Sequence, residues 1–405
     1  MARTPSATSR GTSPKSAARS SEKSSKKSSA KKSGPVASGG KKIRYAVVGL
    51  GHISQNAILP AFKHAKNAEL AALISDDEKK LKKLGKLYGA SHLFSYDEYD
   101  DCLKSGEIDA VFIALPNNLH RDYTVRAAAA GIHILCEKPL AVTEEECEAM
   151  IRAADKANVK LMTAYRLHFE EANLQAVKLA SSGKLGEVRF FNSIFSMNVE
   201  EGNIRVKRET GGGTLYDIGI YCINAARMIF QDEPLEVSAA TATKQGDGRF
   251  TEIEEMTSAT LRFSNDRLAT FTVSFGVSDI SSYRIAGTKG DLTVEPAYGY
   301  QSALKHQMII KGKKTQTNFK QRDQFAAELV YFSDCILNDK QPEPSGIEGL
   351  ADVRIIRALY ESADGGKPVK LGVFTKETRP TMQQEINLPP ITEEPPLIHA
   401  EPPHR

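Results

Sequence analysis

The 405-residue chain is 40% hydrophobic, enough apolar material for two or three domains. Its net charge of +4 is unevenly spread: residues 1–42 carry eleven Lys/Arg against Glu22 alone, which leaves −6 on the remainder and argues against a nucleic-acid-binding surface there. Five scattered cysteines without a C-x-x-C, nine histidines without an H-E-x-x-H, and no apolar run near the ~20 residues of a membrane span exclude a disulfide framework, a recognisable metal site and a spanning helix.

Residues 1–42, rich in Ser, Lys, Ala and Gly, bury too little apolar surface to offset ordering entropy and read as a disordered basic tail. The basic stretch is not followed by an apolar segment, so no secretory signal is expected, and a cytoplasmic location is. From Ile43 a strand–helix alternation begins. Apolar runs at 43–49, 69–75, 109–115, 133–137 and 160–165 read as strands; 53–64, 77–89, 118–130 and 143–158 read as helices, the last opened by a Thr143/Glu146 capping box. Continuous apolar strands between helices predict a doubly wound parallel sheet, a nucleotide-binding domain over 43–165.

After a helix near 170–182 the period falls to two. Strands are expected at 187–197, 236–243, 256–263, 268–275, 283–287 and 291–296, with helices at about 212–230, 321–338 and 347–363. This predicts an α+β second domain over 166–370 with a large, mainly antiparallel open sheet. Residues 371–405, ending "LPPITEEPPLIHAEPPHR", read as an extended proline-rich tail.

Five segments carry chemistry. "VVGLGHIS" puts G-x-G-x-x-S between the first strand and first helix: Gly49 permits the tight turn, Gly51 lets the backbone approach a pyrophosphate, and Ser54 is small enough for the third position. The second strand ends "LISDDEKK". A terminal acid would bind a ribose diol, whereas Ser75 with Lys79 and Lys80 suits a 2′-phosphate, so NADP is expected; Asp76 leaves NAD open. "LPNNLH" offers Asn117 to a ribose and His120 at a helix start, the latter equally readable as a packing residue. "CEKP" ends a strand on Glu137, Lys138 and Pro139; Lys138 reads either as a cleft ammonium that polarises a substrate oxygen or as a surface partner of Glu137. "GGGTLYDIGIYCINAAR" gives three glycines, a Thr cap and a helix on which Asp217 and Tyr221, four apart, share a face. A neighbouring lysine would favour the phenolate form of Tyr221; the alternative is a core tyrosine.

With "AYRLHFEEAN" and "VEPAYGY", these segments make residues 43–370 resemble the glucose-fructose oxidoreductase / inositol dehydrogenase / rhizopine-catabolism (Gfo/Idh/MocA) family, most of all its glucose-fructose oxidoreductase branch. The resemblance implies a Rossmann domain, a sheet domain that forms homodimers or homotetramers, and NADP-dependent hydride transfer at a sugar carbon without a metal. It assigns Tyr221 as acid/base, Lys138 as the catalytic lysine and Asp217 as a substrate-orienting group. The expected cofactor contacts are Gly49, Gly51, His52, Ile53, Ser75, Lys80, Leu115, Pro116, Asn117, His120, Glu137, Lys138, Arg166, Arg205 and Tyr300. The branch often carries a Trp-Arg pair before its triple glycine; here "NIRV" supplies Ile204-Arg205, so an exchangeable nucleotide is expected. The competing readings are a nucleotide-binding sensor without turnover, and sugar C3 oxidation that assists glycoside elimination.

Overall fold

The computed structural model describes residues 40–400 and residue 402; the basic tail expected over 1–42 lies outside the described residues through residue 39. In the first half, β1 (Ile43–Val48), β2 (Ala68–Ile74), β3 (His92–Phe94), β4 (Ala110–Ile113), β5 (His133–Glu137) and β6 (Leu161–Ala164) form a parallel sheet in the order β3-β2-β1-β4-β5-β6. The direction of strand succession reverses between β1 and β4, which opens a crevice at their carboxyl ends. The connections hold a π-turn (Ser54–Ile58) running into the short α1 (Leu59–Ala61), then α2 (Glu78–Tyr88), α3 (Tyr99–Lys104), α4 (His120–Ala129) and α5 (Glu144–Ala157). The Thr143/Glu146 capping box opens α5 as the spacing predicts.

α6 (Glu171–Ser181) leads into β7 (Val188–Asn198), and α7 (Ile220–Phe230) separates β7 from the strands that follow. Those are β8 (Glu236–Ala242), β9 (Met256–Phe263), β10 (Arg267–Ser274), β11 (Gly276–Gly287), β12 (Gly290–Val294), β13 (Lys305–Ile310) and β14 (Lys313–Asn318). After α8 (Gln324–Leu337) and α9 (Gly346–Gly365) comes β15 (Val369–Lys370). The nine-stranded sheet has the order β14-β13-β12-β11-β7-β10-β9-β8-β15, antiparallel except for β7 beside β10. β13 and β14 carry no apolar alternation; every residue of β14 is exposed, so only pairing reveals it.

α6, α7 and α9 cover one face of this sheet, where Phe191, Phe271 and Ile285 meet Ala176, Ile223 and Leu359. α8, read from sequence with the second half, packs on the first sheet: Phe325, Leu329 and Phe332 bury with Tyr45, Val47 and Phe112. α9 serves both cores, with Leu350 and Val353 in one and Ile355 and Leu359 in the other. The halves are thus joined by shared helices.

Residues 371–400 contain only a short 3-10 turn (Met382–Gln384) and otherwise run extended. They are fastened along their length: Lys376 Nζ pairs with Glu343 (2.6 Å) and Glu348 (2.8 Å), Arg379 with Glu233 (2.8 Å), and Ile386 and Leu388 pack on the first core.

Candidate active site

The turn after β1 has the shape its glycines predict. Gly49 sits at φ +92°, where a Cβ would stand 2.6 Å from the Ala114 carbonyl oxygen, so no larger residue fits. Gly51 faces open space, with nothing within 4 Å of a would-be Cβ. That opening, at the start of a helical segment, is a cradle that fits a pyrophosphate. Ser54 Oγ donates to the Gly49 carbonyl at 2.6 Å and locks the turn, while His52 and Ile53 begin the segment behind it. At the end of β2, Ser75 is buried and its Oγ accepts from the Asp77 amide at 3.2 Å. Asp76 turns away to accept from the Tyr96 amide (2.9 Å), and Asp77 caps α2 by accepting from the Lys80 amide (3.0 Å). The two acids are therefore engaged by backbone amides, which leaves the buried Ser75 hydroxyl at this end of the crevice.

The other end of the crevice lies three strand spacings away, at β5, or ~14 Å. The Lys138–Pro139 peptide that follows β5 is cis. Lys138 Nζ donates to the Asp217 carbonyl oxygen (2.8 Å) and to Asp217 Oδ1 (3.3 Å), and it stands 4.7 Å from the centre of the Tyr221 ring. The tight Gly211–Gly213 turn, where a Cβ on Gly212 would meet the Arg205 carbonyl at 2.4 Å, brings Asp217 and Tyr221 to this place. Of the two readings of Lys138, the structure has the ammonium turned toward the second half of the chain; Glu137 accepts from its backbone amide (3.2 Å) instead.

Arg205 Nε donates to Asp217 Oδ2 at 2.7 Å, so Asp217 sits between two cations. Burial raises its pKa, but Arg205 and Lys138 overcome this and hold it at about 2. Burial lowers the Lys138 pKa, and Tyr221, Asp217 and Glu137 more than offset it, leaving a firmly charged ammonium. Arg166 donates to the Tyr221 hydroxyl (3.2 Å) and to the Tyr298 carbonyl (2.6 Å), and also reaches the Gln324 side chain. Its guanidinium lies 5.2 Å from the Tyr300 ring, whose hydroxyl accepts from Asn56 Nδ2 at 3.0 Å.

Sequence expectations and contacts differ at three places. His120 is fully buried, with Nδ1 2.9 Å from the Pro139 carbonyl and Nε2 2.9 Å from that of Leu115, so it braces the turns after β4 and β5 from behind. Burial lowers its pKa. Thr214 does not cap the helix; its hydroxyl donates to Glu254 (2.5 Å), because the segment enters in a π-turn (Leu215–Gly219) with Thr214 already helical. Arg205, expected among the cofactor contacts, is held by Asp217. Asn117 spans the two halves, its Nδ2 donating to the Gly211 carbonyl at 2.9 Å, between Leu115 and Pro116 on one side and His120 on the other. Asn56, Tyr298 and Gln324 escaped the sequence reading, since their partners lie far along the chain.

Two family profiles match the chain in succession: an oxidoreductase family with an NAD-binding Rossmann fold over residues 43–165, and the GFO/IDH/MocA C-terminal domain over residues 173–293. The chain belongs to the Gfo/Idh/MocA oxidoreductase family. Among its relatives, a D-xylose 1-dehydrogenase [NADP(+)] of Haloarcula marismortui is 31% identical over 81% of this chain and 93% of that protein. A trans-1,2-dihydrobenzene-1,2-diol dehydrogenase of Xenopus laevis is 27% identical over 79% of this chain and 96% of that protein. Among solved structures, the aldose-aldose oxidoreductase from Caulobacter crescentus, complexed with glycerol, superposes with a TM-score of 0.79 at 38% identity, covering 82% of this chain and all of that one. Membership makes the protein an oxidoreductase with a nucleotide-binding half, and no helix among the described residues is long and apolar enough to cross a membrane.

Proposed function

We propose that the protein is an NADP-dependent sugar oxidoreductase, with residues 43–165 holding the nucleotide and 166–370 the substrate. The observation that carries this reading is the approach of Lys138 Nζ to Asp217 and to the Tyr221 ring at the carboxyl end of β5. Bound NADP supplies the hydride acceptor or donor, at nicotinamide C4. In the oxidative direction Tyr221 Oη takes the proton of the substrate hydroxyl as the carbon gives up its hydride; in reduction the same atom returns it. Lys138 and Arg166 stabilise the negative charge that develops on the reacting oxygens, and both are fixed before substrate arrives. Asp217 holds Lys138 in position. The named activities of the Haloarcula and Caulobacter relatives support an aldose as substrate and NADP as cofactor.

The test is turnover with aldoses, ketoses and polyols against NADP+ and NAD+. We expect NADP-dependent oxidation of at least one aldose, and Tyr221→Phe should lower kcat about a hundredfold or more. No turnover across the panel, with nucleotide bound, would favour a sensor.

The uncovered face of the nine-stranded sheet exposes Phe190 (45%), Ile194 (38%) and Leu268 (37%) on adjacent strands. We assign this face to a homodimer or homotetramer contact, to be read by native mass measurement; a monomer contradicts it. All five cysteines are free and buried, which supports a reducing, cytoplasmic setting.

A further inference from the structure

The last described stretch of the chain reaches the crevice. Its prolines 389, 390, 395 and 396 keep it extended at little entropic cost, and Pro390–Pro396 bridge a groove of about 820 Å³ beside β2 and β3. Beyond the groove the chain is fastened twice. The fully buried side-chain amide of Gln55 accepts from the Ile398 amide (2.7 Å) and donates to the Ile398 carbonyl (2.9 Å), and the same Nε2 donates to the Leu50 carbonyl (2.8 Å). Leu50 lies between Gly49 and Gly51, so one side chain ties the phosphate turn to Ile398. One residue on, His399 Nδ1 lies 2.7 Å from Asp77 Oδ2, at the end of β2 where a ribose 2′-phosphate would sit.

The two attachments therefore stand at the two ends of the space an adenosine diphosphate would occupy. The second also engages the carboxylate at that end. A free Asp77 would repel a 2′-phosphate; here one oxygen caps α2 and the other faces His399. The Asp76 oxygen is taken by Tyr96. We propose that residues 397–400 are part of the nucleotide site: a strap that slows nucleotide release through the Gln55–Ile398 pair and, through His399, tips the site toward a 2′-phosphate. This rests on the NADP reading given above.

The experiment uses the full chain. Ile398→Pro removes the amide that Gln55 accepts from, and with it the half-buried Ile398 side chain that packs on the first core. His399→Ala removes the partner of Asp77. NADPH and NADH release is followed by stopped-flow displacement, and affinities for NADP+ and NAD+ by titration. Ile398→Pro should release both nucleotides about tenfold faster, the effect of one hydrogen-bonded anchor. His399→Ala should lower the NADP:NAD affinity ratio about threefold or more, the scale of one exposed hydrogen bond, and His399→Lys should restore it. Wild-type release from Ile398→Pro, or an unchanged ratio in His399→Ala, overturns the proposal. A wild-type protein that binds neither nucleotide sinks the reading of the whole site, and the strap with it.

Discussion

Lys138→Met will lower kcat about a thousandfold, some 4 kcal/mol of transition-state stabilisation, while nucleotide affinity stays within about threefold of wild type. The split follows from where the ammonium sits. It touches Asp217 and the face of Tyr221, while the phosphate turn and the Ser75 end are built from other residues. The fold should survive the change, because Asp217 keeps its 2.7 Å bond to Arg205 and is not left as an uncompensated charge. Steady-state kinetics and nucleotide titration on the same preparation read both quantities. A variant that turns over within about tenfold of wild type would remove Lys138 from the chemistry.

The second large effect is on stability. Arg227→Met should destabilise the protein by about 3–5 kcal/mol, read by urea denaturation. Arg227 lies on α7, six residues beyond Tyr221, and is completely buried. Its guanidinium donates to Glu233 (2.7 and 2.8 Å), Glu348 (2.7 Å) and Asp352 (2.6 Å), so its loss leaves three carboxylates around an apolar side chain. Lys376 and Arg379 compensate part of that charge. Asp352 contributes to the pH dependence. Burial already raises its pKa to about 6, and without Arg227 it rises further. A carboxyl that binds its proton more tightly folded than unfolded gains stability as pH falls. The deficit of Arg227→Met should therefore shrink between about pH 8 and pH 5. The network ties α7, which carries Tyr221, to α9 and to the extended C-terminal segment, so a site residue is held by charges that never touch substrate.

How much of this is legible in the sequence differs between the halves. The parallel sheet is written as continuous apolar runs such as "AVVG" and "AVFIAL", since strands covered on both faces need no polar phase. β13 and β14 are invisible because "KKTQTN" has no buried side. α8 has an apolar face readable from sequence, but nothing local says which sheet will receive it. At the site, Lys138, Asp217 and Tyr221 stand out because a strand ending in Glu-Lys-Pro and a triple glycine before a helix are locally odd. That they meet is a contact across 79 residues, which no local pattern encodes. Asn56 and Tyr300 meet across 244 residues; "VEPAYGY" marks Tyr300, but nothing beside Asn56 marks it. His120 is the opposite case: its neighbours left a ligand and a packing role equally open, and two backbone carbonyls use it as a brace. The C-terminal prolines announce extension, but the docking of Ile398 on Gln55 depends on a side chain 343 residues earlier.

The most direct test of the account is a crystal structure of the protein with NADP+ bound. The nicotinamide C4 should lie within about 4 Å of a site for the substrate carbon that Tyr221 Oη and Lys138 Nζ both reach. A ring seated elsewhere in the crevice, or a separation of those two groups by more than about one side-chain length once nucleotide is present, would contradict it.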